Sequence, residues 1–127
     1  KNKRKVGNGM AKWRRANCMG YALGIDRWLL VEDWRYRSLE DMAQELVEHY
    51  NLKVVKRNEM VIGKTYIAFR VSREDFHFMK RGKDGHWRHK PGWNYVRPIK
   101  EKDVFSNQWR SGMLYYNSRV VLFEVQD

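Results

Sequence analysis

After Asn51 the apolar residues of this chain change their period, and that change limits the folds open to it. Before it, Ser38 and Asp41 make a capping-box-like pair, and Leu39, Met42, Ala43, Leu46 and Val47 recur at helical spacing until Asn51 can end the element. After it, residues 53–57, 65–71, 76–80, 86–90 and 118–125 are rich in β-branched and aromatic side chains, the composition of strands. Gly63-Lys64 and Gly82-Lys83-Asp84-Gly85 supply turns, Pro91-Gly92 ends the strand before it, and residues 101–109 read as a short helix or a loop. Helices followed by an antiparallel sheet define an α+β class. At 127 residues and 43% hydrophobic, the chain fits a single domain spanning residues 1–127. Residues 1–12 are basic, glycine-containing and aperiodic, and are expected to form an arm or an ordered loop.

One cysteine cannot make an internal disulfide, so Cys18 is free, structural or catalytic. It lies in Ala16-Asn17-Cys18-Met19-Gly20-Tyr21-Ala22-Leu23-Gly24, where Asn17 as N-cap and Gly24 as stop predict a short helix with the thiol in its first turn. Downstream, Asp75-Phe76-His77-Phe78 puts a histidine at the start of an apolar strand. A thiol at a helix opening and a later histidine are the parts from which thiol hydrolases build nucleophile and base. The helix dipole, Arg14, Arg15 and an imidazolium at His77 are expected to lower the pKa of Cys18. The amide of Cys18 is the first candidate oxyanion donor, with Asn8, Trp13 and Asn17 as candidates for the second. His77 also needs an orienting partner. A five-residue loop over 81–85 pairs Lys80 with His86 and sets His89 opposite His77; a two-residue loop at Asp84-Gly85 pairs Lys80 with His89 and turns His89 away, leaving Asn94 or Asp75.

The NCxxYAL helix start, Asp75-Phe76-His77-Phe78, and the segment Asp84-Gly85-His86-Trp87-Arg88-His89-Lys90-Pro91-Gly92 together resemble the papain-like thiol peptidase superfamily. Within it they are most similar to small bacterial and phage domains carrying an NCxxYA helix and an HF…DGxWxHKPG hairpin. The resemblance runs from Asn17 to Gly92. It implies a papain-like fold, N-terminal helices packed on an antiparallel sheet, with Cys18 as nucleophile, His77 as base and His89 as orienter in a Cys-His-His variant. The implied reaction is cleavage or rearrangement of an amide, by hydrolysis, deamidation or acyl transfer, without a cofactor.

The net charge of +11 is unevenly spread. Lys1, Lys3, Arg4, Lys5, Lys12, Arg14 and Arg15 precede Cys18 with no acid among them, and Lys80, Arg81, Lys83, Arg88, Lys90, Arg97 and Lys100 surround and follow His77 against Asp84 alone. Arg14, Arg15, Arg88 and Lys90 are therefore expected to rim an electropositive cleft that takes an acidic peptide or protein substrate. The rival expectation is a non-catalytic module that binds nucleic acid or another anionic polymer through residues 1–15 and 80–97, with Trp87 and Trp93 stacking on bases or sugars. Cys18, His77, His86 and His89 can be counted as zinc ligands, but a three-residue spacing on a strand turns His86 and His89 to opposite faces, so no metal is expected. No apolar run approaches the ~20 residues of a membrane helix. The expectation is a soluble chain without a membrane partner, cytoplasmic unless a targeting segment preceded Lys1.

Overall fold

A computed structural model describes residues 12–111 and 114–127. Helix α1 spans Cys18–Leu23, capped by the Asn17 side chain and stopped at Gly24, whose φ of 75° lies in the left-handed region that glycine tolerates. A single 3-10 turn, Trp34–Tyr36, leads into α2, Leu39–Tyr50. Ser38 Oγ accepts from the Asp41 amide at 3.0 Å, and Asn51, at φ 54°, ends the helix where the apolar period stops. The Asp41 carboxylate does not complete a reciprocal box; Arg37 holds it at 2.7 Å.

Strands β1 (Leu52–Val54), β2 (Tyr66–Val71), β3 (Phe76–Arg81), β4 (Trp87–His89), β5 (Arg97–Pro98) and β8 (Val121–Val125) form a six-stranded sheet, while β6 (Trp109–Ser111) and β7 (Leu114–Tyr116) pair separately. The order in the large sheet is β1-β8-β2-β3-β4-β5, antiparallel throughout. A short helix α3, Glu101–Val104, precedes β6. The fold is α+β, as the change of period predicts. Three boundaries differ. The first strand ends at Val54 and gives way to a 3-10 turn at Arg57–Glu59, the last begins at Val121, and the hairpin β6–β7 occupies a stretch read from sequence as helix or loop at its start.

The sheet buries both faces. Ile67, Phe69, Phe76, Phe78, Val121 and Phe123 pack against Cys18, Met19 and Ala22 of α1 and Met42, Ala43 and Leu46 of α2. Their alternate neighbours Tyr66, Ala68, Met79 and Leu122 face the other way, with Trp87 and Val104. Helix α1 reaches its seat because Gly20 has no side chain: a Cβ there would stand 2.1 Å from the Arg27 carbonyl oxygen and 2.6 Å from that of Ile25. Both obstacles are backbone and neither can swing aside. Gly20→Ala is expected to lower stability by about 1–3 kcal/mol or more, the usual scale of overpacking. A urea midpoint equal to wild type would show that α1 does not dock this closely.

Candidate active site

Helix α1 fixes Cys18 through its cap. Asn17 is buried, and its Oδ1 accepts from the amides of Gly20 at 3.0 Å and Leu29 at 3.2 Å while Nδ2 donates to the Leu29 carbonyl at 2.7 Å. One side chain thus caps the helix and ties it to the following loop. These three bonds make the Asn17 side chain a structural clamp, and its Nδ2 keeps a second hydrogen while the residue lines the pocket of Cys18. Trp13, the second candidate, packs edge-on against Tyr21 with Lys80 over its ring, away from the thiol's pocket. Asn8 lies outside the described residues. The amides of Cys18 and Met19, which have no intrahelical acceptor at the helix start, face the sulfur, as does the amide of Phe78 in β3. That last contact is possible because the β3–β4 ladder holds only Lys80 with Arg88 and Arg81 with Trp87, and stops short of Phe78.

The hairpin adopts neither expected register. Its loop is five residues long but begins one residue later, at Gly82, so that Arg81 pairs with Trp87. Extending this register sets His89 across from Met79, diagonal to His77 and on the same face. The two rings meet there: His77 Nε2 and His89 Nδ1 are 2.7 Å apart. Asn94 and Asp75 do not serve as the partner. Asn94 is exposed on the turn after Pro91, and Asp75 Oδ1 accepts from the Phe76 amide at 2.8 Å.

Sequence reasoning missed what covers the pair. Trp109 and Tyr116, cross-strand neighbours in β6–β7, lie 5.3 and 5.7 Å from His77 by ring centroid, and Trp109 lies 5.6 Å from His89. Aromatic residues flanking the Ser111-Gly112 dipeptide were the available signal for this hairpin. Arg70, the residue opposite His77 in β2, holds the wall in place: fully buried, it donates to the carbonyls of Val104 at 3.0 Å, Tyr116 at 3.2 Å and Ser118 at 2.9 Å.

Although Cys18 belongs to the helix-side core and His77 points to the opposite face of β3, both line one pocket of about 230 Å³, with Trp28, Leu30, Trp34, Asp75 and Gly92 among its walls. A second cavity of about 570 Å³ shares Asp75, His77 and Gly92 and adds His89, Asn94, Arg97, Trp109, Arg110 and Tyr116. Thiol and imidazole therefore open on one pocket at the edge of β3, and His77 is shared with the second cavity. The basic rim differs from expectation. Arg14 and Arg15 are exposed but line neither cavity, and Arg88 pairs with Asp84 at 3.1 Å. Lys90 is only 4% exposed and donates to the Gly92 carbonyl at 2.7 Å, bracing the wall between the cavities from within. The cations that line the cavities are Arg35 beside Cys18 and Arg97 and Arg110 beside His89. Of the two tryptophans expected to stack, Trp87 is buried and donates to Glu101 at 3.1 Å, whereas Trp93 is exposed. Among the described residues no group of three His, Cys, Asp or Glu side chains is placed to hold a metal ion, and no helix is long and apolar enough to cross a membrane.

Burial dominates the titration of the site. It pushes the Cys18 thiol up to about 12, aided by the Asp75 charge and opposed by the three facing amides, so the expected depression of its pKa is overturned. The reason is that Arg14 and Arg15 stay in solvent while the sulfur does not. His77 is held down to about 3 by burial, then by the nearby charges of His89 and Arg70. His89 is held down to about 4 by burial and by Arg97. At neutral pH the site rests as thiol and neutral imidazoles. Compared with protein-family models, with curated proteins and with solved structures, the chain matches none.

Both histidines titrate lower in the fold than their ordinary 6.5, so the unfolded chain binds the extra protons first. Their contribution to stability is complete above about pH 6.5 and is lost as the pH falls from there toward 4 and 3. Each histidine adds up to about 1.4 kcal/mol per pH unit to that slope. Urea midpoints from pH 7 to pH 4 are expected to fall, and His77→Phe to flatten the fall; equal slopes in the two proteins would contradict the assignment.

Proposed function

We propose that the chain is a papain-like thiol hydrolase that cleaves a peptide or isopeptide bond through an acyl-enzyme on Cys18. The observation that carries this reading is the His77 Nε2 to His89 Nδ1 hydrogen bond beside a pocket that both Cys18 and His77 line. With the proton on His77 Nε2 and donated to His89, His77 Nδ1 keeps a lone pair for the thiol, and the ring is locked in one tautomer. His89 then acts as orienter. Burial is compatible with reaction because a neutral imidazole is the form that can accept a proton, and burial first, then the charges of His89 and Arg70, keeps it neutral.

The reaction follows from these positions. His77 Nδ1 takes the thiol proton as the sulfur attacks the carbonyl carbon and forms the C–S bond. The oxygen that becomes negative is received by the amides at the start of α1. Collapse breaks the C–N bond, and the imidazolium returns its proton to the departing amine, leaving a thioester. Water, deprotonated by His77, then attacks the thioester. The C–S bond breaks, the proton goes back to sulfur, and a carboxylic acid leaves. Replacing water by another amine in the second half gives acyl transfer with the same residues.

Turnover of peptide thioesters and activated esters tests this. Cys18→Ala should abolish turnover and the acyl mass increment on the Cys18 peptide, and His77→Asn should cost about 10²–10⁴-fold in kcat/KM, the range of a general base. His89→Asn should cost less than His77→Asn. Because the thiol sits near 12 and His77 near 3, kcat/KM should be flat from about pH 5 to pH 9, with no rise near an ordinary thiol pKa. Full turnover by Cys18→Ala, or by His77→Asn, would refute the reading.

A further inference from the structure

The two cavities that meet at His77 differ in chemistry, and the difference selects a substrate. The cavity holding Cys18 is walled by Trp28, Leu30 and Trp34, and its charged residues are one cation, Arg35, against the two carboxylates Glu74 and Asp75. At its edge Trp28, 43% exposed, stacks on Trp93, 77% exposed, with ring centroids 4.3 Å apart. Large aromatic surfaces left open beside a site bury much apolar area when a ligand covers them. The other cavity reverses the balance, with Arg97 and Arg110 against Asp75 alone. Arg97 is exposed and forms no ion pair among the described residues.

Catalysis orients a substrate across this divide. The carbonyl carbon must reach Cys18, which lines only the aromatic cavity, whereas the leaving amine must take its proton from His77, which lines both. The acyl half therefore lies against Trp28, Leu30 and Trp34, and the amine half points toward Arg97. Resting on the hydrolase reading for this orientation, we propose that the site recognises a bipolar peptide, with a large apolar or aromatic residue N-terminal to the cleaved bond and a carboxylate C-terminal to it. A uniformly acidic target is disfavoured, because Glu74 and Asp75 repel a carboxylate on the acyl side. The guanidinium of Arg97 suits the other half, since it can bind a carboxylate in two-pronged fashion.

Binding, measured apart from turnover, tests the proposal. Four acetylated and amidated pentapeptides, carrying Phe or Ser before a central amide and Asp or Asn after it, are titrated into full-length Cys18→Ala by tryptophan fluorescence and calorimetry. The Phe/Asp peptide should bind at least tenfold more tightly than Ser/Asn, with the single changes between them. Added salt should weaken only the preference for Asp over Asn. In the same background Trp28→Ala should erase the preference for Phe, and Arg97→Gln the preference for Asp. Equal affinity for the four peptides, no binding by any, or preference for Asn over Asp overturns the proposal. Mass spectrometry of wild type with the same peptides separates the two claims: bipolar binding without cleavage removes the hydrolase and leaves the recognition, and equal cleavage of all four does the reverse.

Discussion

A buried guanidinium without a carboxylate partner organises this molecule. Arg70 is fully buried in β2; its Nη1 and Nη2 donate to three backbone carbonyls, those of Val104, Tyr116 and Ser118, while Nε is buried with no hydrogen-bond partner among the described residues. Taking a cation out of water costs several kcal/mol unless fixed dipoles replace the hydration. Here the end of α3, the end of β7 and the turn before β8 supply them. The residues between Val104 and Ser118 are thereby gathered onto one face of the sheet. Without that attachment the β6–β7 hairpin would have little reason to lie over His77 and His89, because it pairs only with itself. The same charge stands opposite His77 in the ladder and disfavours its protonation. One residue thus holds the wall of the site and adds to the burial that keeps its base neutral.

The thiol owes its place to a second economy. Strand β3 points Phe76 and Phe78 into the helix-side core and His77 to the other face, so the helix carrying Cys18 and the histidine are anchored on opposite sides. They line one pocket where the β3–β4 ladder is short and the strand edge beyond Lys80 receives the start of α1. A longer β4 ladder would close that gap. Gly20 and Asn17 complete the arrangement, one by permitting close approach and the other by clamping the helix to Leu29.

Much of this was legible in the sequence where a single local cause decides the outcome. The Asn17 and Gly24 ends of α1, the Ser38 cap, the stop at Asn51 and the strands around Phe69 and Phe78 follow from capping chemistry and period. The pairing of His77 with His89 was legible only as an alternative, since a hairpin's register rests on turn geometry that Gly82 and Gly85 leave open. What stayed hidden depends on distant packing. Nothing near Lys90 says that it will be buried, nothing near Arg70 says that it will bind carbonyls of residues 104–118, and nothing near Arg14 says that it will miss the cleft. Charge counted along the chain predicted a uniformly electropositive cleft; charge placed in space gives two cavities of opposite balance.

The central claim is that a neutral thiol at Cys18 is activated by proton transfer to a neutral His77 at the moment of attack. Single-turnover acylation of Cys18 by an activated ester, followed at pH 7 in H2O and in D2O, reads that transfer directly. The account predicts slower acylation in D2O for wild type, with both the rate and its isotope dependence lost in His77→Asn. Equal rates in the two solvents, unchanged by His77→Asn, would contradict it.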